Sequence, residues 1–301
     1  MKNMDRLYSY FVNSQPNAVI AQTIGIEVET SFVNQQGKPI TLDQSQKILR
    51  TMCEKHDWYV RQFKGNLISE IGDGVGNKIL YELGRQNLEL ASKPDNRKLA
   101  LSFMSRALET LHRAAYQHEA FPFFGPVLDT QEDLLVIPDE RDAIWLELDG
   151  REALELLART SAVQFTFSVS PHVAIGYLNK LGWKIDSFLK DYPQEENWQK
   201  YIKTSKAGYF PTRYGGPLLF QDIHDYCNQL AKHEVVVGPK LVPFNEVENL
   251  DIPLFLRSVW WYFRLRRYGT TLCIEVRPLP RLGDDKIEKQ LEFVLGILSK
   301  P

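Results

Sequence analysis

Residues 24–33 read IGIEVETSFV, with two carboxylates two positions apart inside what is otherwise a buried β-strand. Under period-2 alternation Ile24, Ile26 and Val28 face one way, and Gly25, Glu27 and Glu29 face the other. Side chains two residues apart on one strand face lie roughly 6–7 Å apart, so the two like charges repel. A strand that keeps both either opens that face to water or holds something positive on it.

The same alternation recurs. In TTLCIEVRP, residues 270–278, Leu272, Ile274 and Val276 share one face while Glu275 and Arg277 share the other. In SAVQFTFSVS, residues 161–170, Val163, Phe165, Phe167 and Val169 oppose Gln164, Thr166 and Ser168. The segment NKILYELGRQNLELAS, residues 77–92, adds Glu82 and Glu89 beside apolar partners. These two are seven apart, so a regular strand would put them on opposite faces; they converge only if Gly84 to Asn87 bends the chain. Five carboxylates facing one cavity without cations would raise one another's pKa values, and hard dications ligated by oxygen, Mg²⁺ or Mn²⁺, remove the conflict.

Around these strands, TLDQSQKILRTMCEKHDW (41–58) has helical spacing with Thr41 or Asp43 as N-cap, and a hairpin-like region follows at 59–76. Helices are expected at 97–118, on a stripe of Leu99, Phe103, Leu108 and Leu111, and at 150–159, 172–189, 218–232 and 284–298. DIPLFLRSVWWYFRLRRYG (251–269) reads as one more helix with an aromatic core face, and its RLRR end as solvated. Interspersed rather than alternating elements favour an α+β chain, with a mostly antiparallel sheet and helices over one face. No linker splits the 301 residues.

Composition sets outer bounds. With 44% hydrophobic and 25% charged residues and a net charge of −2, nothing argues electrostatically for nucleic acid or an anionic membrane as partner. Cys53, Cys227 and Cys273 have no C-x-x-C spacing, which argues against a disulfide framework or zinc site and for a reducing, cytoplasmic setting. No stretch has the length of an apolar membrane span, and the opening residues lack a signal-peptide core. Homo-oligomerisation stays open.

Taken in order, IGIEVET, the helix after it, ISEIGDGVGNKILYELGRQNLELASKP, RTSAVQFTFSVS and YGTTLCIEVRPLP resemble the glutamate–cysteine ligases and related carboxylate–amine ligases, which share the glutamine synthetase catalytic fold. The resemblance spans residues 24–280. It implies a single catalytic domain over 1–301 with residues 1–20 peripheral, built on a curved, mostly antiparallel sheet with helices on its outer face. It implies use of ATP and Mg²⁺ to join a small-molecule carboxylate, the γ-carboxyl of glutamate, to an amine such as cysteine through an acyl phosphate. Residue by residue, it implies that Glu29, Glu82 and Glu89 hold a metal near the acceptor substrate. Glu27, Gln164 and Glu275 would hold another that bridges the nucleotide phosphates, with Arg277 meeting the transferred phosphoryl group.

Beyond the resemblance, the Gly-, Pro- and Tyr-rich loop KAGYFPTRYGGP (206–217) offers Arg213 and Tyr214 as substrate contacts, and Arg267 and Tyr268 are placed to reach nucleotide or substrate. Two other function classes remain: a metal-dependent hydrolase using the same carboxylates on water, and a non-catalytic binding protein that keeps the fold.

Overall fold

A computed structural model of the chain describes residues 2–14, 20–136 and 140–299. The strands are β1 (Ile24–Val33), β2 (Tyr59–Lys64), β3 (Leu67–Gly72), β4 (Lys78–Tyr81), β5 (Asn87–Ala91), β6 (Phe121–Phe123), β7 (Ala162–Ser168), β8 (Tyr214–Gly215), β9 (Val235–Val237), β10 (Lys240–Val242), β11 (Trp260–Trp261), β12 (Phe263–Tyr268) and β13 (Thr271–Pro280). The helices are α1 (Lys2–Val12), α2 (Leu42–Lys55), α3 (Arg97–Tyr116), α4 (Glu140–Asp149), α5 (Arg151–Ala158), α6 (Pro171–Gly182), α7 (Ile185–Leu189), α8 (Gln194–Thr204), α9 (Ile223–Leu230), α10 (Ile252–Arg257) and α11 (Ile287–Leu298).

Nine strands form one open sheet in the order β12-β13-β7-β1-β5-β4-β3-β2, with β6 also paired to β1. Every pairing within it is antiparallel. β1 lies inside, hydrogen-bonded on one side to β7 and on the other to β5. Its alternation sends Ile24, Ile26 and Val28 into the core, each at most 1% exposed. On that face α3 packs over β1 and β5, α2 over β2 and β3, and α6 over β12 and β13.

Local signals place these helices. Thr41 caps α2 with a reciprocal box: its hydroxyl accepts from the Gln44 N–H, and the Gln44 side chain accepts from the Thr41 N–H. Asn96 caps α3 by accepting from the Leu99 N–H. The buried stripe of α3 is Ala100, Met104, Ala107, Leu108 and Leu111; Leu99, assigned to it from the sequence, sits in the capped first turn and is exposed.

Three expectations change. Residues 251–269 are not one helix: α10 stops at Arg257, and the chain enters β11 and then β12. Trp260 to Phe263 is apolar at both helical and strand spacing, and pairing with β8 and β13 selects the strand. Residues 2–14 are not peripheral, since α1 buries Leu7 and Phe11 completely and Asn3 donates to the Phe244 and Val247 carbonyls. Nor are helices confined to one face, because α4, α5 and α8 contribute Asp142, Trp145, Leu154, Leu157 and Tyr201 to a hollow whose floor is the polar side of β2 to β4. All three cysteines are free thiols, and burial pushes Cys227 and Cys273 up to about 12. No helix of the described residues is long and apolar enough to cross a membrane.

Candidate active site

The register of the sheet decides which side chains meet. Glu27 stands opposite Gln164 on β7 and Ala91 on β5, while Glu29 stands directly opposite Glu89. Glu275 stands opposite Thr166 on one side and Arg264 on the other. Glu82 and Glu89 converge because the chain reverses between them. β4 and β5 form a hairpin whose turn is closed by Glu82 N–H to Asn87 O (3.2 Å) and Asn87 N–H to Gly84 O (2.9 Å). The bend expected at Gly84–Asn87 is therefore a full hairpin, and it brings the Glu82 and Glu89 carboxyls close enough to act on each other. Glu27 and Glu29 of β1, Glu82 just after β4, Glu89 of β5 and Glu275 of β13 thus gather on one side of one sheet.

Their electrostatics divide them. Burial first, then the neighbouring Glu82, pushes the Glu29 carboxyl up to about 8, although the Ala162 N–H (2.9 Å) and Arg277 work against it. Glu27 is pushed up to about 7 by burial and by Glu275. Burial raises Glu89 well above the usual range, helped by Glu27, Glu82 and Glu29, and burial also raises Glu82. Glu275 goes the other way. Burial would raise it, but Arg264, Arg266 and Arg277 overcome burial and hold it at about 2, with the Tyr268 hydroxyl donating at 2.7 Å.

Arg277 reaches the site by the same alternation that places Glu275, two residues before it on β13. Its N–H donates to the Tyr262 carbonyl at 3.0 Å, which extends the pairing with β12, while the β13–β7 register shifts between Val276 and Leu279. The guanidinium donates to Gln164 Oε1 at 2.6 Å, and Gln164 Nε2 donates to Glu29 Oε1 at 3.1 Å. Gln164 therefore links Arg277 to Glu29, and its amide is not bonded to Glu27 or Glu275, the companions expected for it.

Among the described residues no group of three or more His, Cys, Asp or Glu is arranged as a metal site. Two of the expected donors are engaged within the protein: Glu275 by Arg264 and Tyr268, Glu29 by the Ala162 N–H and Gln164. The donor chemistry nevertheless fits a hard cation. Glu27, Glu29, Glu82 and Glu89 are oxygen donors held close enough to raise one another, and a bound dication relieves that repulsion.

The loop expectations split. Arg213 is fully buried and is not brought to the carboxylates; its guanidinium donates to Ser258 O, Ser258 Oγ and Glu234 O and lies against the Tyr209 ring. Arg267 also turns away, because strand alternation sends it with Phe263 and Leu265 to the helix side, where it bonds Gly269 O and Tyr10 O. Tyr214 does join the site. It lines a cavity with Glu29, Gln164, Arg277 and a group of aromatic rings, and its hydroxyl donates to Glu195 at 2.6 Å. Gly216, with φ at +72°, holds the loop where only glycine fits, since a Cβ there would lie 2.3 Å from the Trp261 ring.

Four residues were not foreseen. Arg264 and Arg266, within RLRR, are 5% and 8% exposed on the site face of β12, not at a solvated helix end. Phe-Arg-Leu-Arg alternation was the available signal. Tyr192 and Trp198 arrive from α8 and the turn before it, with no local pattern to mark them.

No family model matches the chain, and no curated protein matches it in sequence. Among solved structures it is similar to a bifunctional glutathione synthetase from Pasteurella multocida, at TM-score 0.52 and 12% identity over 99% of this chain. It is also similar to a glutamate–cysteine ligase from Francisella tularensis in complex with AMP, at TM-score 0.50 and 11% identity over 96% of this chain. The chain spans 41% of the first of those proteins and 68% of the second. At such identities the likeness is one of fold: a mixed helix and antiparallel open-sheet architecture that those two proteins share.

Proposed function

We propose that this chain is a single-domain ATP- and Mg²⁺-dependent carboxylate–amine ligase built on a glutamine synthetase-like catalytic sheet, with the γ-carboxyl of glutamate as the acid. The observation that carries this reading is the gathering of Glu27, Glu29, Glu82, Glu89 and Glu275 on one sheet face with Arg277 among them.

In this reading Glu29, Glu82 and Glu89 hold one dication, and Glu27 and Glu275 another. Bound there, dications neutralise phosphate oxygens and polarise the transferring phosphorus. The substrate carboxylate forms a bond to the γ-phosphorus as the bond to ADP breaks, giving an acyl phosphate. The amine nitrogen then bonds to the acyl carbon, phosphate leaves with the C–O electron pair, and the nitrogen loses a proton.

The protein contributes positioning and fixed charge rather than covalent help. Arg277, bridged to Glu29 through Gln164, presents a planar cation beside the first metal group. Arg264, Arg266 and Tyr268 fix Glu275 in its ionised form. Gln164 orients Arg277 in this arrangement.

A screen of purified protein with Mg·ATP against pairs of acids and amines tests the reading. ADP release that needs both an acid and an amine is expected. Turnover without ATP would replace the ligase by a hydrolase, and the absence of nucleotide binding at millimolar Mg²⁺ would remove catalysis altogether.

A further inference from the structure

The cavity beside Glu29 and Arg277 has an unusual wall. Tyr192, Trp198, Tyr214, Trp260 and Tyr262 all line it. Trp198 stacks on Tyr214 with ring centroids 4.9 Å apart and planes within 2°, and Trp260 packs against Trp198 at 5.7 Å. Tyr214 and Tyr262 cannot swing freely, because both hydroxyls donate to the Glu195 carboxylate, at 2.6 and 2.7 Å. The wall is therefore preorganised rather than adaptable.

Its polar side chains are Glu29, Thr160, Gln164, Gln194 and Arg277, beside the tyrosine hydroxyls. Among the described lining residues Arg277 is the only cation, and it already donates to Gln164. Arg213, the nearest alternative, is shut behind the Tyr209 and Trp260 rings with its N–H groups spent on Ser258 and Glu234. Aromatic faces bind an ammonium group and its alkyl chain, and they offer nothing to a carboxylate.

Size points the same way. The free volume is about 40 Å³. One water needs at least about 10–15 Å³ by this measure, so the cavity takes roughly three or four heavy atoms.

We infer that this cavity is the amine-side pocket, and that the acceptor is a short primary alkylamine without a carboxylate rather than an amino acid. The inference rests on the ligase reading for its placement at the acceptor side, and on the aromatic wall, the small volume and the missing second cation for its chemistry.

The decisive comparison uses propylamine and L-2-aminobutyrate, which is propylamine with a carboxylate added beside the nitrogen. Each is titrated into the intact protein by intrinsic fluorescence, since Trp198 and Trp260 line the cavity, and checked by calorimetry. Propylamine is expected to bind saturably, and L-2-aminobutyrate about tenfold more weakly or worse, because its carboxylate would have to compete with Gln164 for Arg277, the one cation among the described lining residues. Trp198→Leu should lose propylamine binding, while Trp198→Phe, which keeps a ring, should retain it and controls for folding. Equal or tighter binding of L-2-aminobutyrate, no saturable propylamine binding, or indifference to Trp198→Leu would overturn the inference. ADP release with the amino acid but not with propylamine would overturn it and leave the ligase standing. Saturable propylamine binding with no ADP release for any acid would do the reverse.

Discussion

Glu29 and Glu275 are the same residue type on the same face of the same sheet, with only β7 between their strands, yet one sits at about 8 and the other at about 2. Burial acts on both in the same direction. What separates them is the company each keeps: Glu29 faces Glu82 and Glu89, whereas Glu275 faces Arg264 and Arg266. One end of the site is an anion balanced by the protein's own arginines; the other is an excess of carboxylate, which in the proposed function a dication balances.

The largest test of this division lies where the two ends meet. Arg277→Ala should lower turnover by about 10²–10³-fold, since it removes preorganised charge at the transferring group, while nucleotide binding stays measurable. Near-normal turnover in a steady-state ADP assay would dismiss the role.

Next come the two ends themselves, compared by thermal melts without metal. Glu275→Gln strips the counter-ion from two buried arginines and should cost about 3–5 kcal/mol, the usual loss when one partner of a buried pair is removed. Glu27→Gln deletes a carboxylate that is already repelled and should leave stability unchanged or higher. Both should lose metal-dependent nucleotide binding. Equal destabilisation of the two variants would erase the contrast.

The pH response should be opposite at the two ends. Glu27 and Glu29, at about 7 and 8 against an ordinary 4.5, hold protons that the unfolded chain releases. Their contribution to stability in chelator-treated protein is complete below about pH 4.5 and is lost as pH climbs through 7 and 8. Glu275, held at about 2, contributes above the ordinary 4.5 and loses that contribution as pH falls toward 2. Melting temperatures at pH 6 and 8.5 read the first effect, and Mg²⁺ should recover the loss at pH 8.5. A melting temperature that rises from pH 6 to 8.5 without metal would contradict crowded carboxylates.

The smallest effect should come from Arg267→Ala. On the helix side of β12 it touches Tyr10 and Gly269, so turnover should change less than about twofold, with only a modest drop in melting temperature. A large loss of activity would return Arg267 to the site.

How much of this was legible depended on the range of the interaction that fixes each residue. Glu27, Glu29, Gln164 and Glu275 declared their faces through strand alternation, because period 2 needs no partner to be read. The meeting of Glu82 and Glu89 required a chain reversal that Gly84 permits but does not dictate. β12 was misread because Trp260 to Phe263 is apolar at either spacing, and only pairing with β13 settles it. Arg213 looked like a ligand-binding loop residue, yet the carbonyls that satisfy it come from Glu234 and Ser258, more than twenty residues away in either case. The aromatic wall comes from α8 and the turn before it, from β8, and from β11 with the residue after it, segments whose adjacency no local pattern encodes.

Because β1 is paired with β5 on one side and β7 on the other at Glu27, and with β5 at Glu29, the backbone amide of Glu27 should open only with global unfolding. Deuterium uptake there should be among the slowest in the chain, with or without a bound cation. Ligand capture can then draw on moving side chains and the covering helices, but the spacing of the two central carboxylates is settled when the chain folds.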